Sequence, residues 1–264
     1  MQTRLKKQTG ALISLLIFFL LACDATLSVG YPTATIAPPT ETPTVTPPSL
    51  KLTLISIPYS ENNAKPPSMV TAQIPQLTGS EDPRVASFNQ AVNDLVHAEI
   101  ESFKRSLTGL SDPPQFASST FDAQYDVIYQ AGDLWSLKFD MNVYVDGAAH
   151  PGELSRALNY DFSHSQMLNL EDLFLADSNY LQVLSKLCSE ELVTRDIGFD
   201  ATTTGAEPIP ENYRNWNITA DGLMITFDRG QVAAYAAPAQ IVVLPYNELT
   251  AIANPQGPLG GFVR

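Results

Sequence analysis

The chain has 264 residues, 28 acidic against 15 basic side chains, a formal net charge of −13 and two cysteines. That balance excludes nucleic acid as a partner, because binding to phosphate requires cationic side chains that displace counterions, and it favours encounters with cationic partners. Two cysteines cannot form a disulfide framework, so the 44% of hydrophobic residues must supply the stability.

Arg4, Lys6 and Lys7 precede an apolar stretch from Ala11 to Leu21 that ends in Leu20-Leu21-Ala22-Cys23. A basic start, a short apolar run and a small residue at its end are the three parts of a secretory signal. The run falls short of the ~20 residues that cross a bilayer. Its ending resembles a bacterial lipobox, which implies removal of residues 1–22 and lipidation of Cys23. The chain is then expected to sit outside the cytoplasm, held to the lipid bilayer of the cell membrane through Cys23, with Cys188 left without a disulfide partner. Residues 23–50 are the expected tether. Nearly half of Asp24 to Leu50 is Pro or Thr, a composition that cannot pack a core and that reaches up to roughly 80 Å as a semi-rigid spacer.

The globular region starts with Leu50 to Pro58, where Leu50, Leu52 and Leu54 alternate with polar residues as in a half-buried strand. The apolar phase then slips to Ile55 and Ile57, which points to a bulge or a strand end covered on both faces. A second strand is predicted over Met69 to Ile74. Asp82-Pro83 supplies an N-cap followed by proline at the first helical position, and Val85, Phe88, Val92, Leu95, Val96, Ile100, Phe103 and Leu107 recur at helical spacing for six or seven turns.

Beyond the breaker Ser111-Asp112-Pro113-Pro114, alternation returns in Phe121, Ala123, Tyr125, Val127 and Tyr129. It continues in Trp135, Leu137, Phe139, Met141, Val143 and Val145, with Ala131-Gly132-Asp133 as the hairpin turn. Further strands are predicted near Arg156 to Phe162, Trp216 to Ile218, Leu223 to Phe227 and Gln240 to Leu244. Leu170 to Leu175 leads into a second helix, on which Leu181, Leu184, Cys188 and Leu192 share a face. The pattern predicts an α+β fold, mostly antiparallel sheet with two principal helices.

Three sets of residues in the second half form an ordered series: Tyr144-Val145-Asp146-Gly147-Ala148-Ala149-His150-Pro151, then Asn159-Tyr160-Asp161, then Leu168 to Phe174. Ile218 to Leu223, Ala233-Ala234-Tyr235-Ala236 and Val243 to Leu249 extend it, and Ile74 to Gly79 with Phe88-Asn89 precedes it. Together these resemble the RsiV-like extracellular domain family, which includes the lysozyme-binding outer domain of the anti-sigma factor RsiV and the module that accompanies the peptidoglycan deacetylase PdaC. The resemblance spans residues 51–252, leaving 253–264 as an expected flexible tail. It implies a binding or sensor fold, with a lysozyme-like protein or peptidoglycan as the partner. Ala148 and Pro238 stand where the family often has glycine.

Chemistry is sparse along the sequence. His97, His150 and His164 form no metal-ligand spacing, so no metal or other cofactor is expected. The segment Asp146, Gly147, Ala149, His150 and Pro151 is the candidate recognition loop, although His150 beside Asp146 and near Glu153 also leaves a lone acid–base site open. Thr226-Phe227-Asp228-Arg229-Gly230 mimics the Thr-Phe-Asp-Asp-Gly motif of polysaccharide deacetylases, but Arg229 replaces the second aspartate and no histidine follows. A turn at a strand end is the better reading. No Gly-x-Ser-x-Gly elbow is present. Tyr144, Tyr160 and Tyr246 are candidates for stacking on sugars. Non-catalytic binding is therefore expected, and the alternative is an envelope hydrolase using carboxylates such as Glu171-Asp172 or Glu190-Glu191.

Overall fold

The computed structural model describes residues 52–110, 116–200 and 202–263. Cys23, the tether and the breaker at 111–114 lie outside the described residues.

A first sheet is built from β1 (Thr53–Ala64), β2 (Pro67–Thr78), β3 (Ser119–Ala131), β4 (Leu134–Tyr144), β5 (Gly152–Asp161) and the short β6 (Gln166–Met167), neighbours in that order. Every pairing is antiparallel except β2 with β3, which is parallel. Parallel neighbours need a crossover rather than a hairpin, and α1 (Pro83–Ser106) lies in that connection. Asp82 caps it as expected, its Oδ1 accepting from the Arg84 N–H at 2.9 Å with Pro83 next in line. Val85, Phe88, Val92, Val96, Ile100 and Phe103 are buried against the sheet, so the 3.6-residue spacing did select the core face. Phe88 touches Trp135, Tyr160 and Phe162, with ring centroids 5.3–5.7 Å apart. Its neighbour Asn89 accepts from the Leu77 N–H at 2.7 Å and donates to the Leu77 carbonyl at 2.9 Å, so one amide docks the helix on the end of β2.

A second layer is made of a 3-10 turn (Leu170–Leu173), α2 (Tyr180–Leu192), a three-stranded antiparallel sheet of β7 (Trp216–Ile218), β8 (Gly222–Phe227) and β9 (Gln240–Pro245), and the single-turn α3 (Tyr246–Leu249). Leu184, Cys188 and Leu192 of α2 are buried, with Tyr213, Leu223, Ile225, Phe227, Val242 and Leu249, in a second core. Burial pushes the Cys188 thiol up to about 12, which keeps it a protonated hydrophobe.

The two sheets meet through directional polar bonds. Asn159 of β5 donates to the Trp216 carbonyl at 2.7 Å and accepts from the Ile218 N–H at 3.2 Å, presenting to β7 the donor and acceptor of a strand. Ser136 donates to Asn159 at 2.6 Å, and Asn217 donates to Ser136 and to the Leu137 carbonyl, both at 2.8 Å. Asp228, just past β8, accepts from the Ser155 N–H at 2.8 Å.

Four expectations change. β1 pairs with β2 without interruption from Thr53 to Ala64, so no bulge explains the phase slip; Ile55 and Ile57 are simply exposed on an edge strand. The bulge lies in β3 instead, between Val127 and Tyr129. An extra residue turns the rest of the strand to the opposite face: Tyr125 packs on the first core, whereas Tyr129 packs on the second. Tyr160 and Tyr246 are buried rather than available to sugars. Residues 253–263 pack in place of the free tail expected: the Asn254 N–H donates to the Leu173 carbonyl at 2.9 Å, Leu259 is fully buried, and the Phe262 ring lies 4.5 Å from that of Tyr246. The globular unit therefore continues past residue 252.

Candidate functional site

The loop between β4 and β5 carries the predicted recognition residues. Gly147 takes a φ of +88°, a conformation glycine adopts without strain, and the Ala148 N–H closes the turn on the Val145 carbonyl at 2.9 Å. Asp146 belongs to the support of this loop. It is buried, its Oδ1 accepts from the Phe116 and Ala117 N–H groups at 2.9 and 3.1 Å, and its own N–H donates to Ser119 Oγ at 2.9 Å. Gly147, Ala149, His150 and Pro151 are exposed.

His150 finds its partner far along the chain. Its ring stacks on Tyr235, with centroids 4.2 Å apart and planes at 29°. Tyr235 donates its hydroxyl to the Pro151 carbonyl at 3.0 Å. Arg229 lies over the same ring, 5.6 Å from its centroid, and its guanidinium forks onto the Glu153 carboxylate at 3.0 and 2.9 Å. Fork-on-carboxylate pairing fixes direction as well as charge. The loop before β5 and the turn after β8 thus join in one exposed platform of His150, Tyr235, Arg229 and Glu153. An acid–base dyad with His150 does not form, because Asp146 is engaged with backbone and Glu153 with Arg229.

Arg229 and Tyr235 do not stand out as site residues in the sequence. The signal is present in two places, the Ala-Tyr-Ala run and the arginine that breaks the deacetylase motif, but nothing along the chain links either to His150. The aspartate of that motif is structural: Asp228 holds Ser155, Arg214 at 3.0 Å and Asn215 at 3.2 Å.

A cavity of about 710 Å³ opens elsewhere, among the β3–β4 turn, the β5–β6 turn, the 3-10 turn and the C-terminal segment. Leu168 and Phe174 are buried beneath it, and Asp133, Asp161, Glu171 and Asp172 line it. Asp161 is held by Ser163, which donates both its N–H at 2.7 Å and its hydroxyl at 2.5 Å, and by His164 Nδ1 at 2.6 Å. Burial pushes its carboxyl up, but these bonds outweigh burial and leave it below the usual carboxylate range; the same contact raises His164. Ser163, His164 and Asp161 are the three residue types of a hydrolytic triad, but Ser163 Oγ lies 2.9 Å from the same Nδ1 that faces Asp161. A relay needs acid and nucleophile on opposite ring nitrogens, so none is assembled. Asp172 is also committed, accepting from the Asn169 N–H at 2.7 Å. Among the described residues no group of three His, Cys, Asp or Glu side chains is placed to hold a metal ion, and no helix is long and apolar enough to cross a membrane.

Residues 171–247 match the model of a family described as a protein of unknown function, DUF3298. Over 149 residues the chain is 27% identical to the peptidoglycan-N-acetylmuramic acid deacetylase PdaC of Bacillus subtilis, covering 55% of this chain and 32% of PdaC. Over 89 residues it is 33% identical to an esterase of Mycobacterium tuberculosis, covering 33% of this chain and 38% of the esterase. The immunogenic protein MPT64 of Mycobacterium tuberculosis is 29% identical over 101 residues, 37% of this chain and 43% of that protein. The chain thus spans less than half the length of each of these relatives. Two solved structures share the fold: a DUF3298 family member from Bacteroides fragilis, with a TM-score of 0.61 and 17% identity over 81% of this chain and 98% of that one, and another from Pseudomonas aeruginosa, with 0.52 and 14% over 79% and 96%. The likeness to the DUF3298 family model is thus confined to residues 171–247, and the two solved structures carry it over the fold alone.

Proposed function

We propose that this chain is a lipid-anchored, extracytoplasmic binding protein whose DUF3298 domain recognises a cell-wall-associated protein or glycan without turning it over. The platform of His150, Tyr235, Arg229 and Glu153 carries this reading: ring contacts and hydrogen bonds join two segments 84 residues apart into one surface set of aromatic and charged groups. Such anchored aromatics and arginines supply most of the energy in recognition surfaces. The similarity to PdaC, a peptidoglycan deacetylase by name, supports a wall setting, and the net charge of −13 suits a cationic partner such as a lysozyme.

The test is binding of the full chain, in mild detergent, to hen lysozyme and to purified peptidoglycan fragments across a salt series. Saturable binding to one of them, weakened at least about tenfold by Tyr235→Ala, is the expected result. Binding to neither, or binding that ignores both His150→Ala and Tyr235→Ala, overturns it.

One observation favours a second reading, hydrolysis of a wall ester or glycan. The cavity gathers four carboxylates and a histidine, and one relative is named an esterase. Turnover of a nitrophenyl ester or release of soluble wall fragments, abolished by Glu171→Gln, would establish it; the engaged Asp161 and Asp172 and the missing relay favour no turnover.

A further inference from the structure

We infer that the cavity beneath the β3–β4 and β5–β6 turns is a subsite for an amino sugar bearing a free ammonium group, an assignment that rests on the glycan branch of the proposed function. Its volume of about 710 Å³ exceeds what one inserted side chain fills and lies in the ~300–1,000 Å³ range of small-molecule sites. The floor is apolar, with Leu168 and Phe174 beneath and Leu134 and Pro258 beside them, which suits the C–H face of a pyranose ring. Gln166 and Gln256 present amides at the rim, able both to donate to and to accept from sugar hydroxyls.

Charge selects among sugars. Asp161 and Asp172 are spent on Ser163, His164 and the Asn169 N–H. The side chains of Asp133 and Glu171, both exposed, make no hydrogen bond or ion pair within the chain among the described residues. The cations near them are His164, held on Asp161, and Arg84, which is engaged by Asp82 at 2.8 Å and feels Asp133 only at longer range. Two uncommitted carboxylates above an apolar floor repel the lactyl and peptide carboxylates of an intact wall fragment. From an N-acetylated sugar they gain hydrogen bonds but no charge attraction, whereas they attract the ammonium that remains when the acetyl group is removed. Opposed charges at the mouth of such a concavity attract more strongly than on an open surface, and the attraction weakens with salt.

The experiment titrates the full chain in detergent with two hexamers of the same backbone, one of glucosamine and one of N-acetylglucosamine, at mildly acidic pH where the amines are protonated. The expected result is at least about tenfold tighter binding of the glucosamine hexamer, with the preference lost in Asp133→Asn/Glu171→Gln and kept in Tyr235→Ala. Both substitutions are at exposed positions, and an unchanged thermal midpoint verifies the fold of the double variant. Equal affinity for the two hexamers, binding of neither, or a preference that survives the double variant overturns the assignment. So does equally tight binding of a lysine hexamer, which would make the cavity a general cation trap. Should the subsite fail while lysozyme or wall binding still depends on Tyr235, the proposed function stands without it.

Discussion

The half built on α1 and the half built on α2 each bury an apolar core, yet they are sealed by different means. The first core is closed by rings: Phe88 meets Trp135, Tyr160 and Phe162 between helix and sheet. The second packs aliphatic residues and Cys188 together with Tyr213, Trp216 and Phe227 under a three-stranded sheet, without a central ring that three others touch among the described residues, and is closed by the C-terminal segment through Leu259 and Phe262. Between them lies a seam of Asn159, Ser136 and Asn217. Apolar packing tolerates many arrangements of similar volume. A buried amide that must find both its donor and its acceptor permits few. The cores thus supply stability, and the seam fixes how one sheet is set against the other.

The largest expected effect strikes the first half. Phe88→Ala removes the ring that three others touch and should cost about 3–5 kcal/mol in a denaturant titration; a loss under about 1 kcal/mol would mean the ring cluster is not the keystone of that core. Asn159→Ala orphans the Trp216 carbonyl and the Ile218 N–H inside the seam, and should cost about 1–3 kcal/mol. If it costs nothing, the sheets are positioned by apolar contact alone.

Cys188 reports on the second half separately. Being fully buried, its thiol should react with a small thiol reagent at least about tenfold more slowly than in unfolded chain. If Phe88→Ala accelerates this labelling as much as it lowers global stability, the halves open as one unit; slow labelling in a destabilised first half would show that they do not.

Tyr160→Phe makes the finer comparison. Its hydroxyl is buried without a partner, unlike the neighbouring Asn159, so removal should change stability by less than about 1 kcal/mol or raise it. The smallest effect concerns pH. The Asp161 carboxyl is lowered, so its contribution is present above its unfolded value of 3.8 and is lost as pH falls through its folded value. His164 is raised, so its contribution is complete below 6.5 and is lost as pH rises through its folded value. Thermal midpoints of the wild type should therefore peak slightly between these limits, and His164→Asn should remove the decline on the alkaline side. Because His164 is largely exposed, an identical profile in the variant would mean that solvent screens the pair completely.

Much of the fold was legible along the chain. The helical spacing of Val85 to Phe103 selected the buried face of α1, the same rule placed Cys188 inward, and Asp82-Pro83 marked where the helix starts. These succeeded because periodicity and capping are properties of the local backbone, independent of what packs against it. The candidate site was legible only in part. His150 and its loop stood out, but Asp146 turned into a support, and of the residues that complete the platform Arg229 came from a turn read as a broken deacetylase motif and Tyr235 from the Ala-Tyr-Ala run.

Sequence by itself determined the period of each element; tertiary structure decided where that period breaks and what each face meets. Tyr125 and Tyr129 alternate faultlessly, yet a bulge between Val127 and Tyr129 puts them on different cores. Residues 253–263 read as a tail until a groove beside Leu173 and Tyr246 receives them. The stacking of His150 on Tyr235 joins positions that no local rule connects. Local chemistry fixes the period and the ends of an element, whereas contacts between distant segments depend on the whole chain closing at once.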